Sequence, residues 1–315
     1  MDDVRANEVT FGDLEMFLAF ARTEHFGQTA TELEVSVATV QRSIRALERK
    51  LGVQLVEQDG RRVRLRHQGN ILVREAHTVL RARADAVSTT LAESGHAQRL
   101  LRIAHTYSLG LDFVPAVLAE LRGNQPELRF HARQNPATDV VSAVLRGDAD
   151  VGFTSLSPTE PGMTVYPLFT ESVLLAVPAD DPLAEEGAVE LAKVRDRTFI
   201  AMEPGSSSRN NMINACARAG FVPHIAVEGS DLFVVESMVG AGIGVSLVPE
   251  GMNGHHHPRV ARLRITEPAL ASRTIFLIHQ AASAAQDSVR ALVRIATDQA
   301  AQRPTSLRRT QQSRP

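Results

Sequence analysis

Residues 29–69, TATELEVSVATVQRSIRALERKLGVQLVEQDGRRVRLRHQG, carry two short helical patterns followed by a basic hairpin. The first pattern covers residues 29–33 and the second residues 36–51. Only Glu34 and Val35 separate them, a brief turn of the kind that sets paired helices at a steep angle. Val40, Ile44, Leu47 and Leu51 recur at spacings of four, three and four, so they line one face of the second helix and can cover the first. The other face remains available to DNA, as in a helix-turn-helix. Ser36 is placed to N-cap the second helix through its hydroxyl, and Gly52 to close it in a left-handed conformation.

Charge clusters around this core. Residues 1–41 hold Arg5 and Arg22 against eight acidic residues, whereas residues 42–83 hold eleven basic against four acidic, a local balance of +7 inside a chain of net charge −2. Such clustering, rather than a basic average, is what neutralises phosphates on one surface and releases their counterions. After Gly52, residues 54–58 and 62–66 flank Asp59-Gly60, which reads as a tight hairpin. This would be a wing, with Arg61, Arg62 and Arg64 at or beside its tip, where long cationic side chains reach phosphates or a narrow minor groove. The alternative is a solvated charged loop.

Leu14, Phe17, Phe26, Ala30, Leu33, Val35 and Ser36, then Arg42, Ile44, Leu47, Glu48 and the Leu51-Gly52-Val53 run, then Leu55, Leu65 and Gly69 form a spaced series that resembles the LysR-type transcriptional regulators. The resemblance extends over most of the chain. It implies that residues 36–51 enter the major groove, with Ser36, Val37, Ala38, Gln41 and Arg42 near the bases and Arg45 on the backbone. Gln41 suits adenine, Arg42 suits guanine or a phosphate, and Val37 or Ala38 suits a thymine methyl. The chain departs from the family pattern at Gln41, Val56, Gln58 and Arg66, three of them on the DNA side, so the binding mode carries over and the operator preference does not.

From residue 68 to about residue 94 there is no proline and no glycine beyond Gly69, and Leu72, Ala76, Val79, Val87 and Leu91 make a recurrent apolar stripe. One helix of this length would run roughly 40 Å at ~1.5 Å per residue. A stripe of this kind serves equally as core or as a dimer seam; the resemblance implies a linker helix that pairs two DNA-binding domains, giving a homodimer or a tetramer. The domain expectation is therefore a winged helix-turn-helix at 1–67, a linker and dimerisation helix at 68–95, an effector-binding domain at 98–298 and a disordered tail at 299–315.

At 315 residues, with 43% hydrophobic content, there is room for a small domain and a larger one with its own core. No run approaches a membrane span, and the acidic start MDDVRANEVTFGD lacks the cationic-then-apolar order of a secretory signal, so a cytoplasmic location is expected. Cys216 is the only cysteine, flanked by Ala215 and Ala217, which suits a small packing residue rather than a redox sensor.

The remainder alternates strand and helix patterns, arguing for an α/β domain with mostly parallel sheets. The candidate strands are residues 100–105, 128–134, 150–154, 173–177, 198–202, 224–228, 244–249 and 274–279. The resemblance implies two subdomains like those of a periplasmic binding protein, joined by two crossing strands: the first from 98–170 and 274–298, the second from 171–273. Ligands in such folds sit where strand carboxyl ends and helix N-termini converge. That geometry selects Thr106, Tyr107, Ser108, Asn135, Thr138, Thr154, Ser155, Ser206, Ser207, Ser208 and Ser246. Hydroxyls and helix-start amides suit a carboxylate or another anion, with Arg209 as counter-charge; Ser and Thr at these places also cap helices with nothing bound.

An enzyme is not expected. The glycines 240, 242 and 244 lead from a helix into a strand, the reverse of a dinucleotide loop. His255-His256-His257 lie in a Gly/Pro-bounded loop that suits solvent more than a metal, and no GxSxG elbow, Walker loop or CxxC occurs. No cofactor is implied. The readings left beside a ligand-responsive regulator are a solute-binding protein and an effector-independent DNA-binding protein.

Overall fold

Thr10 caps the start of the helix Phe11–Thr23. Its hydroxyl accepts from the Asp13 amide at 3.2 Å while the Asp13 carboxylate accepts from the Thr10 amide at 2.8 Å, a reciprocal cap that satisfies two orphan donors. The computed structural model describes residues 8–59, 62–93, 100–252, 254, 255, 257–267 and 270–303, which fall into two compact units, residues 1–99 and 100–315.

In the first unit, α1 (Phe11–Thr23), α2 (Phe26–Glu32) and α3 (Val37–Leu51) surround one apolar cluster. The second helical pattern appears as α3, with Ser36 accepting from the Thr39 amide at 3.1 Å and Gly52 closing it at φ 71°. The first pattern begins earlier than its spacing suggests, because His25 caps α2 by accepting from the amides of Gly27 and Gln28. Val40, Ile44 and Leu47 are buried with Phe17, Phe20, Ala30 and Leu55, and Phe20 stacks on Phe26 with centroids 4.7 Å apart. Burial acts to raise the Asp13 carboxyl, but the Lys50 ammonium at 2.6 Å and the Thr10 donors outweigh it and hold the carboxyl below its ordinary value.

The hairpin is β1 (Val56–Asp59) and β2 (Arg62–Leu65), antiparallel with Val56 opposite Leu65 and Asp59 opposite Arg62. Glu48 anchors it to α3: one carboxylate oxygen accepts from the amides of Leu55 at 2.8 Å and Val56 at 3.2 Å. The following helix α4 (His67–Glu93) meets the residue before β1 so closely that a Cβ at Gly69 would stand 2.3 Å from the Leu55 carbonyl oxygen. Leu72, Val73 and Ala76 join the domain core, whereas Val79, Val87 and Leu91 are 45%, 54% and 42% exposed. The apolar stripe therefore splits: its first third belongs to this unit's own core, and the rest stays uncovered within the unit.

In the second unit the strands β3 (Leu100–His105), β4 (Arg129–Gln134) and β5 (Val151–Thr154) run parallel, with α5 (Phe113–Asn124) and α6 (Ala137–Arg146) between them. β6 (Met163–Pro178) and β12 (Ser272–Gln280) are the long strands. Along residues 163–172, β6 pairs antiparallel with β12; from Val173 on it pairs antiparallel with β10 (Ser246–Pro249) and β11 (Val260–Ile265). The switch of partners between Ser172 and Val173 divides the unit into two subdomains. The second is completed by β7 (Ala188–Val189), β8 (Thr198–Met202), α7 (Ser207–Arg218), β9 (His224–Gly229) and α8 (Leu232–Gly240). α9 (Asp287–Gln302) returns to the first.

Three expectations are corrected. The main sheet is mixed rather than mostly parallel, since β6 and β12 run antiparallel to each other and to their other named partners. The strand expected at residues 173–177 begins ten residues earlier, because residues 163–172 are half-buried and polar-interrupted and show no continuous apolar run. The helix α9 continues to Gln302, into the tail expected to be disordered from residue 299: Ala300 is buried in the first subdomain's core, and the Gln299 amide donates to Ala116 O and Glu120. Residues 304–315 lie outside the described residues.

Candidate functional site

The outward face of α3 is set by what its inward face buries. With Val40, Ile44 and Leu47 committed to the core, residues 37, 38, 41, 42 and 45 fall on the other side at helical spacing. Val37, Ala38, Arg42 and Arg45 are exposed and Gln41 is half-buried. The Arg42 Nε donates to the Ala38 carbonyl at 3.3 Å, which lays the guanidinium along the helix, and among the described residues neither Arg42 nor Arg45 has a carboxylate partner. Ser36 is consumed by capping, where it also shares a 2.8 Å hydrogen bond with Thr39 Oγ1. Beside this face a concavity is lined by Thr23, His25, Gly27, Gln28, Val37, Val63 and Arg64, so the start of α3 and the hairpin share one surface with the α1–α2 turn. Sequence reasoning missed His25 and Gln28, whose link to this surface depends on how α2 docks. Arg64 is exposed on β2; Arg61 and the Arg62 side chain lie outside the described residues.

In the second unit a cleft of about 140 Å³ opens between the subdomains. Its wall from the first subdomain comes from the carboxyl ends of β3, with Thr106, Tyr107 and Ser108, and of β4, with Gln134, Asn135 and the start of α6. Its wall from the second comes from the end of β8, with Met202, Glu203 and Pro204, from Ser206, Ser207 and Ser208 at the start of α7, and from Ser230 after β9. Parallel strands deliver their carboxyl ends and the following helix N-termini to the same side, which is why these loops converge. Two helix starts face the cleft and bring first-turn amides and positive dipole ends there, the Ser208 amide being capped by the Ser206 hydroxyl at 3.2 Å.

Thr106 is 4% exposed, and its hydroxyl has no hydrogen-bond partner among the described residues. A buried orphan hydroxyl costs roughly 1–3 kcal/mol, so its place on the cleft wall calls for a ligand atom or water. Burial raises the Tyr107 phenol above its ordinary value and the Asp231 carboxylate adds to this, keeping it protonated at neutral pH.

Five expected residues stand outside the lining. Ser246 donates to the Ile200 carbonyl at 2.7 Å and is buried between strands. Thr154 accepts from the Leu156 amide, Ser155 lies beyond it, and Thr138 faces outward toward Asp139. Arg209 is spent on Met202 O at 3.0 Å and Glu228 at 2.5 Å, so it offers the cleft no spare charge. Gln134, Glu203 and Ser230 were missed; their one sequence signal is their position at a strand's carboxyl end. His255 Nε2 contacts the Leu111 carbonyl at 3.1 Å and His257 accepts from the Arg259 amide, while His256 lies outside the described residues. Among the described residues no three His, Cys, Asp or Glu side chains gather for a metal ion, and no helix is long and apolar enough to cross a membrane.

A helix-turn-helix unit with a cationic outward face, followed by a two-subdomain cleft, is the architecture of a DNA-binding regulator with an effector domain. Residues 11–70 match the model of the bacterial regulatory helix-turn-helix proteins of the lysR family, and residues 94–301 that of the LysR substrate binding domain. The chain is 30% identical over 268 residues to the transcriptional dual regulator GltC of Bacillus subtilis, covering 84% of this chain and 89% of the relative. It is 29% identical to a probable hydrogen peroxide-inducible genes activator of Mycobacterium avium, covering 90% and 92%. The solved structure of a full-length OxyR cysteine variant from Pseudomonas aeruginosa superposes with a TM-score of 0.66 at 24% identity, over 91% of this chain and 94% of that one. The chain belongs to the LysR family: it is a DNA-binding transcriptional regulator with a small-molecule effector domain.

Proposed function

We propose that the regulator reads its operator with Val37, Ala38, Gln41 and Arg42, grips phosphates with Arg45 and with Arg61, Arg62 and Arg64 of the hairpin, and responds to a small carboxylate held in the cleft. Ser36 contributes through its cap. The orphan Thr106 hydroxyl carries the effector reading: with Ser108, the serines starting α7 and the positive dipole ends of α6 and α7, it makes a wall suited to an acceptor-rich anion. The small volume favours an effector of few atoms. The exposed Val79, Val87 and Leu91 on α4 support a homodimer, and the chemistry of operator recognition supports a cytoplasmic location. Regulation of this kind needs no catalytic step; effector binding shifts an equilibrium between arrangements of the DNA-binding pair.

The test is thermal unfolding together with operator retardation, using operator recovered by genomic footprinting, across a panel of two- to four-carbon carboxylates. At least one member raises the midpoint and changes operator affinity, and Thr106→Val removes both effects. A panel that moves neither quantity in the wild type refutes the carboxylate assignment.

Peroxide is a different matter. Burial pushes the Cys216 thiol up to about 12, it lies in the core of the second subdomain, and no second cysteine exists in the chain. The thiolate is the reactive form, so a protonated buried thiol without a resolving partner gives no intramolecular disulfide. Hydrogen peroxide at concentrations that oxidise an exposed low-pKa thiol is expected to leave operator affinity unchanged, equally in wild type and Cys216→Ser. A peroxide response lost in Cys216→Ser would refute this.

A further inference from the structure

Four residues far apart in sequence form one buried hydrogen-bonded path across the subdomain junction. Arg273 stands directly opposite Glu171 on the antiparallel pair β12–β6, two residues before β6 changes partners. The Arg273 side chain is 2% exposed and that of Glu171 7%. Arg273 Nε and Nη2 both donate to Glu171 Oε1, at 2.8 and 2.6 Å. The same Nη2 donates to Ser108 Oγ at 2.6 Å, on the cleft wall of the first subdomain. The other Glu171 oxygen accepts from the Gly251 amide at 2.8 Å, just beyond β10 in the second subdomain. A Cβ at Gly251 would stand 2.9 Å from that oxygen, so the close approach suits glycine.

We propose that Arg273 is a positioning residue that couples the Ser108 hydroxyl on the cleft wall, through Glu171, to the backbone of the second subdomain. A serine oxygen that accepts from a guanidinium keeps its single proton for donation elsewhere, and charge-assisted bonds are stronger than neutral ones. Ser108 is thereby set as a donor toward the cleft, and a ligand atom that accepts from it pulls on the same chain that holds Gly251. Stability alone does not explain the pair: a buried ion pair typically stabilises no better than apolar residues of equal volume. Another buried pair of this unit, Arg262 with Glu236, has its other named partners, the carbonyls of Met252 and His255, within its own subdomain.

The meaning for effector response rests on the cleft reading above, but the test uses no ligand, so either can fail without the other. Hydrogen exchange of the full-length protein is followed by mass spectrometry at the Gly251 amide and at the amides of β3. Loss of one charge-assisted bond in Ser108→Ala should speed exchange at Gly251 by about tenfold while β3 stays at its wild-type rate. Arg273→Lys, which keeps a cation but cannot span both partners, should reproduce that pattern. Thr106→Val, on the same wall but off the path, should leave Gly251 unchanged. Wild-type exchange at Gly251 in Ser108→Ala, or an equal acceleration at β3 or in Thr106→Val, overturns the coupling.

Discussion

Glu236→Ala is expected to cost the effector domain about 3–5 kcal/mol, because it strands a buried guanidinium without its carboxylate. Glu236 on α8 is fully buried, and the Arg262 side chain on β11 is 3% exposed. The pair is bidentate, with Nε to Oε1 at 2.6 Å and Nη2 to Oε2 at 2.7 Å. Arg262 also donates to the carbonyls of Met252 at 2.7 Å and His255 at 2.9 Å, so it fastens the loop after β10. Neutral carbonyl acceptors do not compensate a full buried charge.

The chain offers a domain-specific probe: it has no tryptophan, and both tyrosines, Tyr107 and Tyr166, belong to the second unit. Denaturant unfolding followed by tyrosine fluorescence should show the midpoint falling at unchanged slope, which identifies a loss of stability rather than of compactness. The double variant Glu236→Met with Arg262→Met should recover most of the loss, since removing both charges leaves none uncompensated. A single variant within 1 kcal/mol of wild type would contradict a buried pair.

Arg42→Ala is expected to relax base preference at one operator position by about 1–3 kcal/mol, the value of a bidentate base contact. Arg61→Ala is expected instead to weaken all duplexes alike and to lower the magnitude of the salt slope by about 0.9, the signature of one lost phosphate contact. The two variants separate readout from positioning on the same surface. They are measured by retardation of the footprinted operator and single-base variants at several salt concentrations. Equal losses across all sequences for Arg42→Ala would reassign it to the backbone, and a salt slope identical to wild type for Arg61→Ala would remove the wing role. The exposed guanidinium of Arg42, with no carboxylate to displace among the described residues, makes the first result the more direct expectation.

Much of the DNA-binding half was legible residue by residue. The four-three-four spacing of Val40, Ile44, Leu47 and Leu51, the Ser36 cap and the Gly52 stop are local patterns, and local backbone physics decides them. Asp59-Gly60 marked the hairpin in the same way. Family motifs carried the two-subdomain expectation, and the carboxyl ends of β3, β4 and β8 pointed to seven of the cleft residues, Thr106, Tyr107, Ser108, Asn135, Ser206, Ser207 and Ser208.

Other features required partners remote in sequence. The first ten residues of β6 form a strand because β12, more than a hundred positions later, pairs with them; their own pattern is too polar to announce it. Arg209 and Ser246 looked available for a ligand until the fold set Glu228 and the Ile200 carbonyl beside them. Arg273, Glu171, Ser108 and Gly251 show no shared spacing at all. Helices, turns and caps are thus determined by the chain locally, since their hydrogen bonds close within a few residues. Which polar groups remain for a ligand was decided only by tertiary structure, because every buried donor and acceptor must find a partner and most of those partners come from elsewhere in the chain.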